Sequence, residues 1–212
     1  MDTCGVEIAF GDAAFWRDFY GRRRANGGPP FEWFMSAEYS AEAVSHAFRS
    51  RTTVPPGPLL HVGCGTSMLG VMLGTALQRP VVNIDTALPA VEQMTAWWQC
   101  ASTEALYGGV SQAWRVQDVS TMPADTIFAA VVDKGTLDVA QRTSGDAAAI
   151  LLASYARVLA PGGGVFLISE EPSEYRAAIL AAAWPSFDHS CRCIVDEDGI
   201  ERFLYVAWSP AT

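Results

Sequence analysis

From residue 59 onward, short apolar runs alternate with segments whose apolar positions recur at helical spacing. The runs at 59–62, 81–84, 113–117, 127–132 and 165–169 have the length of buried strands. Between them lie helix-compatible stretches: 68–77, one around 90–105 that buries Val91, Met94 and Trp97 or Trp98, and one from Ser144 or Asp146 to Leu159. A shorter helix is expected from Ser173 and Glu174 to about Ala183. This alternation predicts an α/β architecture, a mostly parallel sheet with helices on both faces. Ala160-Pro161-Gly162-Gly163-Gly164 reads as a turn into the fifth strand. Strands within 187–195 and 203–208, joined by the turn Asp196-Glu197-Asp198-Gly199, predict a closing antiparallel hairpin.

The first fifty residues follow another pattern. Asp12 can cap a helix from residue 13 to about 24, with Phe15 and Phe19, and Trp16 and Tyr20, at i, i+4 spacing. Asn26-Gly27-Gly28-Pro29-Pro30 breaks it. Phe31-Glu32-Trp33-Phe34 then gathers three rings around one acid, as expected of a lid packed on the core. A second helix, roughly 41–51, places Val44 and Phe48 on one face. Pro55-Pro56-Gly57-Pro58 closes the module as a stiff connector. The expected organisation is one structural domain: an N-terminal helical lid or substrate segment, residues 1–58, packed on a core of residues 59–212.

Composition narrows the function. At 212 residues, half of them hydrophobic, the chain can bury a sizeable core without disulfides or metals. Apolar runs such as 128–132 and 150–153 are too short to span a bilayer. A net charge of −9 argues against a nucleic-acid partner. Arg22-Arg23-Arg24, the one basic cluster, reads as the solvated end of a helix or a patch for an acidic protein. Cys4, Cys64, Cys100, Cys191 and Cys193 are odd in number and lack disulfide-framework spacing, which suggests a reducing compartment. Cys191-Arg192-Cys193 is too sparse for zinc, the histidines at 46, 61 and 189 lack metal spacing, and no metal is expected. Residues 1–9 carry Asp2 and Glu7, no arginine and no apolar stretch, unlike a secretory signal or transit peptide.

Ligands of such sheets bind at the carboxyl ends of the strands. There the first strand runs into Gly63-Cys64-Gly65-Thr66-Ser67, where two glycines let the backbone approach a ligand without an intervening Cβ. A plain strand-to-helix turn is the alternative. Asp85, Asp118, Asp133 and Glu170 end successive strands. Any one of them could be a cap or turn residue; four in succession point to a ligand edge. Asp85 lies about twenty residues past the glycines, where a carboxylate accepts hydrogen bonds from ribose hydroxyls. A dinucleotide enzyme would share that feature, but the third glycine of its fingerprint is missing. S-adenosylmethionine needs no pyrophosphate cradle. Asp118 suits its adenine amino group, and Gly63 and Gly65 suit its methionine end.

Three stretches carry a resemblance: Leu60-His61-Val62-Gly63-Cys64-Gly65-Thr66-Ser67, Asn83-Ile84-Asp85, and above all Asp133-Lys134-Gly135-Thr136-Leu137-Asp138. They resemble the class I S-adenosylmethionine-dependent methyltransferases, and among these the methyltransferase-like protein-lysine methyltransferases that modify citrate synthase or elongation factor one-alpha. Phe31-Glu32-Trp33-Phe34 and Phe15-Trp16-Arg17 match the same subgroup, so the likeness covers nearly the whole chain. Gly63 to Ser67 and Ser169-Glu170-Glu171-Pro172 look nearest to the citrate synthase enzymes, whereas His61 stands where an acidic residue is common. The resemblance implies a single-domain, Rossmann-like, seven-stranded methyltransferase fold. It implies S-adenosylmethionine as donor, S-adenosylhomocysteine as product, and no metal. Cofactor contacts are expected at Gly63, Cys64, Gly65, Ser67, Asp85, Thr86, Asp118, Val119 and Asp133. Asp133, Glu32 and Glu170 are the candidate catalytic carboxylates, with Trp33 and Phe34 against the substrate. Lys134, the only lysine in the sequence, is expected to tether a nearby carboxylate or carbonyl.

The implied partner is a protein, with citrate synthase favoured, and elongation factor one-alpha or a small molecule as alternatives. Neither nucleic acid nor membrane is expected. The implied location is the mitochondrial matrix, otherwise the cytoplasm. No Asn/Asp-Pro-Pro-Tyr/Phe run follows the fourth strand, which argues against methylation of a base. A catalytically silent methyltransferase-like scaffold should lose cofactor positions, yet Gly63, Gly65, Asp85 and Asp118 are all present.

Overall fold

The computed structural model of the protein describes residues 11–100, 106–107, 109–196 and 198–211. Seven strands form one sheet: β1 (Leu59–Val62), β2 (Val81–Asp85), β3 (Gln112–Val116), β4 (Phe128–Lys134), β5 (Leu159–Ser169), β6 (Asp188–Val195) and β7 (Glu201–Trp208). Their order is β3-β2-β1-β4-β5-β7-β6. The first five are parallel, and β7 runs antiparallel between β5 and β6. Strand order reverses between β1 and β4, where Val62 pairs with Asp133. A crevice opens at the carboxyl ends of strands at such a point.

Both faces of the sheet are covered by helices. Leu60, Val62, Ile84, Val131 and Leu167 pack with Leu152 and Tyr155 of α6 (Gly145–Val158) and Leu180 of α7 (Ser173–Ala183). On the other face, Leu59, Val81, Val132, Phe166 and Ile168 meet Val44 and Phe48 of α2 (Ala37–Arg49) and Leu69 and Leu73 of α3 (Leu69–Leu77). β4 is buried along its whole length, as a central parallel strand must be. Burial of Val131 and Val132 on its opposite faces contributes about 1.5–3 kcal/mol each relative to exposure.

Ahead of the sheet, α1 (Ala13–Ala25) begins where Asp12 Oδ1 accepts the Ala14 N–H at 2.8 Å and packs on α4 (Leu88–Trp98). Its last turn carries Arg22, Arg23 and Arg24, favourably placed at the negative end of the helix dipole. Arg24 pairs with Glu92 of α4, and Arg23 lies over the Phe31 ring. The second helix starts four residues before its expected beginning, because Ser36 Oγ accepts the Tyr39 N–H and caps it.

Three elements differ from expectation. The stretch 160–164 is no turn: it lies inside β5, where Phe128 pairs with Leu159 and Ala130 with Gly164, so the extra residues are absorbed as a bulge. The Asp133–Asp138 run contains the start of an unforeseen helix, α5 (Thr136–Thr143). α4 ends at Trp98; the part of the expected helix over 101–105, the reading of residues 1–9 and Glu197 of the hairpin turn fall outside the described residues. Asp196 Oδ1 accepts the N–H groups of Asp198 and Ile200 in that turn.

Candidate active site

The loop after β1 sits at the crevice. Gly63 (φ +59°) and Gly65 (φ +49°) occupy the left-handed region, which costs a residue bearing a Cβ about 1–2 kcal/mol. A Cβ on Gly63 would also overlap Thr136 Oγ1, and one on Gly65 would overlap the Tyr20 hydroxyl. The two glycines thus let α5 and α1 close onto the loop. Thr136 Oγ1 donates to Val62 O at 3.2 Å, and the Phe31 N–H donates to Thr66 Oγ1 at 3.0 Å.

Asp85, at the end of β2, is 9% exposed. Its Oδ2 accepts the Gly65 N–H at 2.7 Å and its Oδ1 the Ala87 N–H at 2.8 Å. Burial pushes its pKa up, and the amides of Ala87, Gly65 and Thr86 oppose that shift. Asp118 follows β3 and caps a short 3₁₀ turn (Val119–Thr121) through the Ser120 N–H at 2.8 Å.

A cavity of about 540 Å³ runs along this edge. Asp85, Thr86, Asp118 and Val119 line one end of it. Gly63 and Thr136 lie midway, and Lys134, Asp138 and Arg142 line it beyond β4. Trp16 and Tyr20 of α1, with Trp33 and Phe34, form an aromatic wall. Trp33 meets Trp16 and Phe31 edge-on with centroids 5.5 and 5.2 Å apart, whereas the Phe34 ring lies against Gly135 and under the Arg202 guanidinium. Of the expected cofactor contacts, Gly63, Asp85, Thr86, Asp118 and Val119 line the cavity. Cys64, Gly65, Ser67 and Asp133 lie behind its wall. Cys64 is buried, and its thiol pKa is raised by burial and by Asp85.

The three expected catalytic carboxylates divide. Asp133 is 1% exposed and does not face the cavity. Its Oδ1 accepts the Thr136 N–H at 2.7 Å, and its Oδ2 accepts the Leu137 N–H at 2.9 Å and the Tyr155 hydroxyl at 2.7 Å. It therefore caps α5 from outside the helix. Burial pushes its pKa up to about 6; Tyr155 and the two amides pull it down, while Asp138 adds to the rise. Glu32 also turns away from the cavity. Its Oε2 accepts from Ser67 Oγ at 2.6 Å, its Oε1 accepts the Met68 N–H at 2.7 Å, and Lys134 Nζ pairs with Oε2. Lys134 donates as well to Met35 O at 3.2 Å, so it tethers both a carboxylate and a carbonyl. Burial lowers the Lys134 pKa, and Glu32 opposes that. Glu170, after β5, pairs with the cavity residue Arg142 and stays partly open to solvent.

Sequence reasoning missed Asp138, Arg142, Thr136, Trp16 and Tyr20 as cavity residues. For the two rings the i, i+4 spacing was visible but not their target. Asp138 stood in the motif without a role. In the cavity wall, Asp138 Oδ1 accepts from Ser169 Oγ at 2.6 Å and from Arg176 Nη2 at 3.1 Å.

No family model matches the chain. It is 26% identical over 221 aligned positions to the human mitochondrial citrate synthase-lysine N-methyltransferase, across 97% of this chain and 92% of the relative. It is 30% identical over 166 positions to the human eEF1A lysine and N-terminal methyltransferase, across 76% of this chain but only 22% of that longer protein. Among solved structures, magnesium protoporphyrin IX methyltransferase from Synechocystis PCC 6803 superposes with a TM-score of 0.67 at 14% identity, across 98% of this chain and 100% of the other. That likeness establishes the fold.

Proposed function

We infer that this chain, a class I S-adenosylmethionine-dependent methyltransferase, methylates a lysine side chain of a protein, with citrate synthase as the favoured acceptor. The observation that carries the reading is the alignment to the citrate synthase enzyme, which runs through the segment before β1 as well as the sheet. Elongation factor one-alpha is the second reading, favoured by the higher identity over a shorter span. The mitochondrial matrix is the compartment we propose, on the same relative.

The cavity suits the donor. Its 540 Å³ falls in the ordinary range for ligands of this size, about 300–1,000 Å³. The Asp85 carboxylate accepts the amides of Gly65, Ala87 and Thr86, which leaves it a lone pair for a ribose hydroxyl. Asp118 and Val119 would hold the adenine, and Gly63 and Thr136 the amino-acid end. S-adenosylmethionine, when bound, supplies an electrophilic methyl group on a positively charged sulfur.

The chain's own part is mainly orientation, because a neutral amine attacks in line and no covalent intermediate on the protein is needed. An acceptor ammonium, with an ordinary pKa of about 10.4, sheds its proton before attack. Trp33 and Phe34 would flank the lysine stem, a contact worth about 0.5–2 kcal/mol while the group is charged. Glu170 at the rim would draw the ammonium in. Glu32 and Asp133 serve this chemistry by fastening the donor loop and α5. We read residues 11–58 as a wall held in place by Phe31 and Glu32, within one domain with the core.

Titration calorimetry with S-adenosylmethionine on the wild type and Asp85→Ala, followed by labelled-methyl transfer to purified citrate synthase, tests the reading. We expect at least about tenfold weaker binding by the variant, since hydrogen bonds to a charged group are worth about 1.5–3 kcal/mol each, and label on a citrate synthase lysine. Binding without label there moves the acceptor to elongation factor one-alpha. No binding by the wild type overturns the reading.

A further inference from the structure

We propose that Asp138 receives the acceptor amine at the point of methyl transfer, and that Arg176 and Ser169 hold it there; this rests on the lysine-methylation reading above. Position along the sheet edge is the first argument. Asp118, Asp85 and Gly63 follow β3, β2 and β1, which lie side by side in that order, and they account for the adenine, ribose and amino-acid parts of the donor. The next strand along the edge is β4. Past it the cavity continues to Asp138 in the first turn of α5. Asp85, Asp118 and Asp138 are the carboxylates among the described residues lining the cavity, and the first two are those assigned above to the donor's ribose and adenine. Asp138 is left for the acceptor.

Its surroundings suit a fixed, charged group. Asp138 is 3% exposed, so the surface it does expose belongs to the cavity wall. Ser169 Oγ and Arg176 Nη2 both reach Oδ1, which leaves Oδ2 for a ligand. Ser169 Oγ already accepts from the Glu171 N–H and from Arg176 Nη2, each at 3.0 Å, so its own proton is committed to Asp138. Arg176 on α7 is wholly buried, and its Nε and Nη1 have no hydrogen-bond partner among the described residues. As a mere tie between β5, α5 and α7 this arrangement is poor, because apolar side chains would do that without the desolvation cost of a guanidinium. As a countercharge that fixes a carboxylate at the end of a cavity, it has a purpose.

In the transfer a nitrogen–carbon bond forms and the carbon–sulfur bond breaks with its electron pair returning to sulfur. Positive charge thereby moves from sulfur to nitrogen. A carboxylate that accepts an N–H from the attacking amine binds more strongly as that charge develops, so it stabilises the transition state over the ground state. The proton shed before attack leaves to water.

Sinefungin, a donor analogue bearing an amine where the reactive methyl stands, reports on this position without turnover or acceptor. Its affinity and that of S-adenosylhomocysteine are measured by titration calorimetry on the wild type, Asp138→Asn and Ser169→Ala. Loss of one charge-assisted hydrogen bond predicts about tenfold weaker sinefungin binding by Asp138→Asn, with S-adenosylhomocysteine changed less than about twofold. Ser169→Ala should shift the ratio in the same direction by about threefold. An unchanged ratio in both variants overturns the proposal. Should Asp138→Asn lose S-adenosylhomocysteine binding as well, the ratio for Ser169→Ala decides alone. Label on an acceptor lysine together with an unchanged ratio sinks the Asp138 assignment only. A shifted ratio with no protein labelled leaves Asp138 at the transfer point and removes the lysine reading on which it was built.

Discussion

Glu32→Ala would release the clasp between the segment before β1 and the donor loop. The variant removes the countercharge of Lys134, whose side chain is 3% exposed, and the acceptor of Ser67 Oγ and the Met68 N–H. Breaking a buried pair by deleting one partner costs about 3–5 kcal/mol. Glu32 is itself 22% exposed, so water can reach the emptied space and re-satisfy Ser67 and Met68; the total should stay in that range. For a domain of this size the melting temperature should fall by about 10 °C. The pH dependence is specific. Burial already lowers the Lys134 pKa, and removing Glu32 lowers it further below the unfolded value of about 10.4. Between those two values the folded state binds fewer protons than the unfolded state, so stability rises with pH. Urea unfolding at pH 7 and pH 9 should therefore show the deficit shrinking at the higher pH. Donor affinity should fall too, because the clasp holds Ser67 and Met68 at the start of α3. A loss below about 1 kcal/mol at pH 7, well under that of a broken buried pair, or a deficit that does not narrow with pH, would refute the argument. Adding Lys134→Met should restore part of the stability, since it removes the stranded charge.

His61 is buried, and burial presses its pKa down to about 4; the Asn83 hydrogen bond opposes this and Lys134 adds to it. Its neutral form contributes stability that is present above pH 6.5 and lost as pH falls toward 4, about 3 kcal/mol in all. Asp133, raised to about 6, acts in the opposite sense, because the folded state binds more protons between about 3.9 and 6. In His61→Gln the histidine contribution is gone while those of Asp133 and Asp85 remain, so between pH 7 and 4.5 the variant should gain on the wild type in urea unfolding. Gly63→Ala should reduce donor affinity more than about tenfold by calorimetry, because a strained φ and the overlap with Thr136 displace the loop. Gly27→Ala, with φ +64° but open space around its Cβ position, should cost only about 1–2 kcal/mol of stability and leave binding intact.

The parallel strands were legible because β-rich apolar runs ended in Gly63, Asp85 and Asp118, and the same residues marked the ligand edge. What stayed hidden depended on partners far along the chain. Asp133 was expected to meet the cofactor and the reacting amine, but Tyr155, 22 residues on, and the N–H groups of α5 occupy its carboxylate. Asp138 gains its setting from Arg176, 38 residues away. Glu32 reaches forward across 36 positions of chain to Met68 and 102 to Lys134, contacts no local period encodes. Three glycines and a proline made 160–164 look like a turn; pairing with β4 and β7 draws them into a strand.

Lys134 is the only lysine among 212 residues, and it is enclosed and ion-paired. On the proposed lysine-methylation reading, the one lysine this chain brings to its own cavity is Lys134, and Glu32 and the Met35 carbonyl hold its ammonium in place. Label recovered on any lysine other than Lys134 therefore reports the acceptor. Acylation at Lys134, distinguished from that of the α-amino group by peptide mass, becomes a footprint of a single event, since Lys134 turns reactive only when its contact with Glu32 opens. The rate of that acylation with and without donor would measure how often the N-terminal wall lifts from the loop.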